Sequence, residues 1–181
     1  THGLADHCHQ PSLKLLPRNI PVVGSPAAAK VVKRLGFEQI ETLKPGETCT
    51  IQGLKIEATA GAAVPNVENG YLLDWSDGSL YLEPHGVLDQ KIASRPVDTV
   101  ITPVIDLGLP MAGDFITGAS VLPDLMKRFT PRTVLASTTG GDVTFTGLIS
   151  ALLNAAEIKE QHDQSVVTPV PGEPIPLKTH A

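Results

Sequence analysis

Residues 1–10 read THGLADHCHQ, and the architecture of the whole chain turns on how they are understood. His2, Asp6, His7 and His9 stand close together, with Cys8 between the last two histidines. Three of the six histidines of the chain lie here. Imidazole nitrogen, carboxylate oxygen and thiolate sulfur are all ligands for zinc or iron. Gly3 and Pro11 oppose one straight helix across the stretch, whereas a loop can turn several of these side chains toward one point. The competing reading is a polar surface loop with solvated histidines.

The rest of the sequence limits what such a loop can belong to. The 181 residues carry 14 Lys+Arg against 19 Asp+Glu, a formal charge of −5. Apolar residues make up 41% and mean hydropathy is +0.07, which supports a real core and argues against disorder. One domain is expected at this length, over residues 1–168. An extended tail is expected at 169–181, because TPVPGEPIPLK carries four prolines. The acidic balance leaves no footprint for nucleic acid or an anionic membrane. Aromatic residues, at 4%, are too few for a base-stacking platform. No run of 18 apolar residues exists, so no transmembrane helix is expected, and two cysteines make a reducing compartment, the cytoplasm, the simpler expectation. Cys8 and Cys49 do not make a disulfide framework, and no CxxC supports a redox pair. The chain does not open with Met and its ligand cluster begins at residue 2, so a piece of a longer protein is expected.

Beyond residue 10 helix and strand signals alternate. Pro11 to Leu16 reads as a short helix and Ile20 to Val23 as a β-branched run. Ser25-Pro26 is an N-cap followed by Pro at the first helical position, opening a helix that Gly36 closes. Phe37 to Leu43 reads as a strand. The period then changes to two. Thr48 to Ile51 and Leu54 to Ala58 flank the Gln52-Gly53 hairpin signal, and Gly70 to Trp75 and Ser79 to Leu82 flank a second turn. Val87 to Ala93 is expected to form one or two helical turns. Asp98 to Val104 and Thr133 to Ser137 read as buried strands, with a helix between them over Gly118 to Phe129 that Pro123 kinks or splits. Asp142 to Glu157 carries the best helical pattern. The sum is an α+β chain with antiparallel or mixed sheet covered by helices. GxGxxG, GxxxxGK(S/T) and GxSxG are absent, which argues against a Rossmann domain, a P-loop and an α/β-hydrolase.

A second group able to do chemistry is Glu83-Pro84-His85-Gly86, at the end of a strand, where sheets present functional loops. An ordinary turn set by Pro84 and Gly86 is the bland alternative. Asp106 and Asp114 flank a Gly/Pro-rich loop, Leu107 to Gly113, that could cover a cleft. Arg128 and Arg132 bracket a helix end and read as solvated, and Trp75 reads as a packing residue.

Thr1-His2-Gly3-Leu4-Ala5-Asp6-His7 resembles the first metal motif of the metallo-β-lactamase superfamily, His-x-His-x-Asp-His after a strand ending in Ser or Thr. His2, Asp6 and His7 match, and Leu4 stands where the second His belongs. The order that follows also agrees: a strand–helix unit, paired hairpins, the segment Glu68-Asn69-Gly70-Tyr71, a strand running into the Glu83–His85 turn, and a second strand–helix half. It is similar to the lactonase-like branch of single-domain hydrolases, with its divergent cyanobacterial and plant plastid members, over residues 1–157.

The resemblance implies a four-layer αββα sandwich, here without its N-terminal strands, and metals between two sheets. It implies hydrolysis of an ester, lactone or phosphodiester-type bond by water activated on a divalent metal, zinc first and iron or manganese next. It carries His2, Asp6 and His7 over as ligands, with Glu83 or His85 downstream, and Asp6 also as proton acceptor. Tyr71 and Thr138 become substrate contacts, the partner a small-molecule substrate, and a homo-oligomer is left open. Two later histidines of the family pattern have no counterpart: Thr59 to Ala63 and Thr138 to Gly141 contain none. The alternative is therefore a metal-free binding or scaffold protein on the same fold, with Leu4 packed into the cleft.

Overall fold

A computed structural model describes residues 1–63, 68–109, 113–137 and 166–179. It divides into two compact units, residues 1–76 and 77–181.

The first unit opens with the loop of residues 1–9 and one turn of helix, α1 (Gln10–Leu13), shorter than the pattern predicts. Strand β1 (Pro21–Gly24) leads into helix α2 (Pro26–Arg34). The Ser25 hydroxyl accepts from the Ala28 amide and Pro26 fills the first helical position, as the capping rule expects. Gly36 closes the helix at φ +85°. Strand β2 (Gln39–Thr42) pairs parallel with β1, Val22 opposite Ile40. Val31, Val32 and Phe37 are buried with Ala28 and Cys8, so α2 lays its apolar stripe on the β1–β2 side of this cluster.

Strands β3 (Thr48–Ile51), β4 (Leu54–Ala60) and β5 (Asn69–Trp75) form an antiparallel meander. The β3–β4 turn is the expected Gln52-Gly53, and both residues take positive φ, 51° and 84°. Leu43, Ile56, Ala58 and Tyr71 form the second apolar cluster of this unit. Cys8 and Cys49 are both free thiols, which removes the disulfide from consideration.

In the second unit β6 (Gly78–Leu82), β7 (Thr99–Thr102), β10 (Thr133–Ala136) and β11 (Val166–Val167) run parallel in the order β11-β10-β7-β6. Strand β8 (Asp106–Leu109) pairs antiparallel with β9 (Gly113–Thr117), so the loop expected over Leu107 to Gly113 is largely a hairpin. Helix α3 (Gly118–Phe129) runs unbroken through Pro123, which removes only the backbone bond toward Ala119. Its buried residues Ala119, Leu122, Leu125 and Phe129 keep helical spacing, and Phe129 packs on Tyr81 with ring centroids 4.7 Å apart. The N-terminus of α3 is capped from a distance: Asp106 accepts from the Ser120 amide at 3.0 Å and from its hydroxyl at 2.5 Å.

Val87 to Ala93 is not helical. A turn closed by Asp89 takes its place, with the Asp89 carboxylate accepting from the Lys91 amide and its carbonyl from Ile92. Arg128 is half-buried rather than fully solvated: its guanidinium donates to the Ile92 carbonyl and to Gln90, fastening that turn to α3. Asp142 to Glu157 lies outside the described residues. Among the described residues no helix is long and apolar enough to cross a membrane. Helices together with both parallel and antiparallel strand pairs in each unit make the chain α+β, as expected.

Candidate metal centre

The loop of residues 1–9 is held against α2. A Cβ on Gly3 would stand 2.9 Å from the Ala27 carbonyl oxygen, so only glycine lets the loop approach so closely. The amides of His7 and Cys8 both donate to the Leu4 carbonyl, curling the loop into a turn.

His7 is the best defined group in it. Its Nδ1 lies 2.9 Å from Glu68 Oε1 and 2.9 Å from the Thr1 hydroxyl. The Thr1 hydroxyl can donate to Nδ1 or accept from it, so these distances fit either tautomer; with the proton on Nδ1, the Nε2 lone pair is left for a metal. Glu68 is only 1% exposed, and its own backbone is bonded to Gly61 and Ala62. This is the carboxylate–histidine arrangement that orients metal-ligating imidazoles. Glu68 was not foreseen as a site residue; it was visible only as part of the Glu68–Tyr71 segment.

Asp6 Oδ2 lies 3.4 Å from His7 Nε2. That is long for a hydrogen bond, but ligands about 2.0–2.2 Å from one tetrahedral ion stand about 3.3–3.6 Å apart. The Asp6 side chain is 72% exposed and meets solvent. His7 and Asp6 therefore fit two vertices of a metal site.

His2 is arranged differently. It is buried, and its Nδ1 accepts from the Leu4 amide at 3.1 Å. A neutral ring accepting at Nδ1 carries its proton on Nε2, so His2 presents no free lone pair in this arrangement. That Nε2 is buried and has no partner among the described residues. The two rings stand edge-on, 6.0 Å apart. Leu4 does not pack inward but is 45% exposed. His9 Nδ1 bonds the Ser12 hydroxyl at the start of α1, and Cys8 is a core thiol whose pKa burial raises.

In the second unit Glu83 is fully buried, and its Oε2 accepts from the amides of His85 (3.0 Å) and Val87 (2.6 Å). One oxygen of Glu83 thus builds the turn that presents His85. The turn is wedged: Gly86 sits at φ +78°, and a Cβ there would lie 2.4 Å from the Gly118 nitrogen. The Thr117 amide donates to the His85 carbonyl.

Tyr71 is buried in the Leu43 cluster, and its hydroxyl accepts from the Asn69 side-chain amide at 3.2 Å. Burial raises its pKa, followed by the smaller opposing effect of the Asn69 bond. It is placed as a packing residue. Thr138 lies outside the described residues.

A family model described as a β-lactamase superfamily domain matches residues 1–139. No curated protein matches the sequence. The structure is similar to an isothiocyanate hydrolase from Delia radicum gut bacteria, with TM-score 0.63 and 17% identity over 96% of this chain and 73% of that one. It is also similar to a possible metal-dependent hydrolase from Veillonella parvula, with TM-score 0.56, 15% identity, and coverage of 75% and 59%. A diphosphatase of the PhnP family gives TM-score 0.54 and 15% identity, covering 75% of this chain and 56% of that chain. The chain thus spans under two thirds of the last two proteins. At these identities the likeness establishes the fold.

Proposed function

Because the chain belongs to the metallo-β-lactamase superfamily, we propose that it is a metal-dependent hydrolase with a reduced metal centre. The observation that carries this reading is the position of His7, with Nδ1 2.9 Å from the buried Glu68 carboxylate and Nε2 3.4 Å from Asp6. His7 and Asp6 are the ligands that the first unit offers, and in the second unit His85 remains the candidate on its own turn. Glu83 builds the turn beneath His85, and His2 supports the loop. Zinc suits imidazole beside carboxylate, with iron or manganese as the alternatives.

When bound, such a metal lowers the pKa of its water toward neutrality. The chain's own contributions are separate. Glu68 holds the His7 ring in one tautomer and orientation. Asp6, open to solvent, accepts a proton from the attacking water. The bond cleaved is an ester, a lactone or a phosphodiester, in a small-molecule substrate. Residues 1–168 form the catalytic domain, with 169–181 as a tail outside it.

The test is elemental analysis of protein purified without chelators, beside the double variant Asp6→Ala/His7→Ala. About one equivalent of zinc, iron or manganese is expected, lost in the variant together with activity in an ester, lactone and phosphodiester screen. The screen should include an isothiocyanate and a diphosphate, because structurally similar proteins are named for them. Protein that holds no metal even after reconstitution refutes the proposal and leaves a binding protein on a hydrolase fold.

A further inference from the structure

Strand β2 has an open edge. Its one ladder among the described residues is with β1. At the end of that ladder the Leu43 amide donates to Gly24. Alternation along a parallel pair then turns Glu41 and Gln39 toward β1 and points the amides and carbonyls of Ile40 and Thr42 outward. Gln39, Glu41 and Thr42 are exposed. No Pro, Lys or bulge blunts the strand.

A groove of about 450 Å³ lies on each face of this edge, and the two share Ile40. The groove toward α2 is lined by Ala29, Lys30, Lys33 and Phe37, together with Glu38 and Thr42. The other is lined by Pro21, Gln39, Glu41, Thr50 and Gln52. Gln39 and Glu41 thus line one groove and Thr42 the other, with Ile40 reaching both. Lys30 and Lys33 are exposed and make no ion pair among the described residues. One groove therefore offers Lys30 and Lys33 against the single carboxylate of Glu38, a net positive balance over an apolar floor, and the other offers the Glu41 carboxylate as its one charge, among polar and apolar groups.

We propose that the β2 edge and its flanking grooves form a docking site for an extended peptide that adds a strand beside β2. Acidic side chains of that peptide face Lys30 and Lys33, and its alternate basic side chains face Glu41. Main-chain bonds to Ile40 and Thr42 supply the pairing, and the charge alternation sets register. The occupant is a peptide rather than a second copy of the chain. A two-fold β2–β2 pairing centred on Glu41 would set the two Glu41 carboxylates directly opposite each other.

The test uses a fluorescent peptide, Lys-Glu-Lys-Val-Lys-Glu-Lys, and the same residues shuffled so that Glu and Lys no longer alternate. Fluorescence anisotropy should show saturable binding of the alternating peptide alone. N-methylation of the amides on one edge of the peptide should abolish it, and so should Thr42→Pro, which removes an outward amide. The pair Lys30→Glu/Lys33→Glu should weaken binding roughly three- to tenfold. A peptide with its central charges reversed should restore it. Equal binding of the shuffled or N-methylated peptide overturns the proposal, as does no binding at all. Concentration-dependent dimerisation in sedimentation that Thr42→Pro abolishes also overturns it, in favour of a second copy. The N-methylated peptide keeps the test decisive if Thr42→Pro does not fold.

Discussion

Replacing Glu68 by Gln tests the metal centre at its least exposed point. In the proposed centre the carboxylate, 2.9 Å from His7 Nδ1, accepts the Nδ1 proton and holds the ring in one tautomer. A glutamine of the same length has two orientations. With its oxygen toward His7 the bond survives without its charge, at a loss of about 1 kcal/mol. With its nitrogen toward His7, Nδ1 must accept, the proton moves to Nε2, and the ligand lone pair is gone. Losing such an outer partner typically weakens a metal site about 10–100-fold, or about 1.4–2.8 kcal/mol. We expect the apparent metal Kd to rise about tenfold in Glu68→Gln and toward a hundredfold in Glu68→Ala. Competition with a chromophoric chelator near neutral pH measures this, and thermal melts of the metal-free proteins confirm that they fold. Nitrogen chemical shifts of His7 give an independent readout: one Nδ1–H form in the native protein and a mixture in Glu68→Gln. A folded Glu68→Gln protein with unchanged metal affinity and an unchanged His7 tautomer would refute the reasoning.

Three other expectations can be checked with stability or labelling alone. The buried Asp98 carboxylate accepts from the Ser79 amide at 2.7 Å and from its hydroxyl at 2.9 Å, so Asp98→Ala strands two buried donors. It should lower unfolding free energy by about 3 kcal/mol in denaturant titration, and a loss under about 1 kcal/mol would show that the bonds are not made in solution. Gly36 and Gly86 have similar positive φ, but a Cβ on Gly36 meets nothing within 4 Å, whereas one on Gly86 meets the Gly118 nitrogen at 2.4 Å. Gly36→Ala should therefore cost about 1–2 kcal/mol, and Gly86→Ala clearly more; equal losses would mean that the turn at Gly86 is not wedged. Burial raises the pKa of Cys8 and Cys49, and nearby Glu41 adds to the effect at Cys49. Thiolate is then scarcer than in a free cysteine at a given pH, so alkylation profiles of both should be displaced to higher pH. Half-exposed Cys49 should react first and the 7% exposed Cys8 only as the protein opens; faster labelling of Cys8 would contradict its burial.

Local chemistry made much of the chain legible. Ser25-Pro26 and Gly36 bound α2 because capping and left-handed backbone depend on the residues at those positions. Gln52-Gly53 marked the β3–β4 turn for the same reason, and the apolar spacing of α3 survived Pro123. Where the sequence misled, a distant partner decided. Val87 to Ala93 has helical composition, but Arg128 of α3 takes up the carbonyl of Ile92 and Asp89 closes a turn instead. Leu107 to Gly113 looked like a loop because Gly and Pro punctuate it, yet β8 and β9 pair across it.

The same division runs through the proposed metal centre. The sequence alone determined the family, because His2, Asp6 and His7 stand at the motif's spacing and that spacing is a local property of one loop. It also determined the candidates, since only a few side chain types can ligate a metal. Which of them has a lone pair to give was decided by tertiary structure. His2 and His7 are chemically identical residues five positions apart, but the Leu4 amide occupies Nδ1 of one, whereas Glu68 and the Thr1 hydroxyl stand 2.9 Å from Nδ1 of the other. A ring's tautomer depends on what its second nitrogen meets, and for His7 that partner arrives from 61 residues away along the chain.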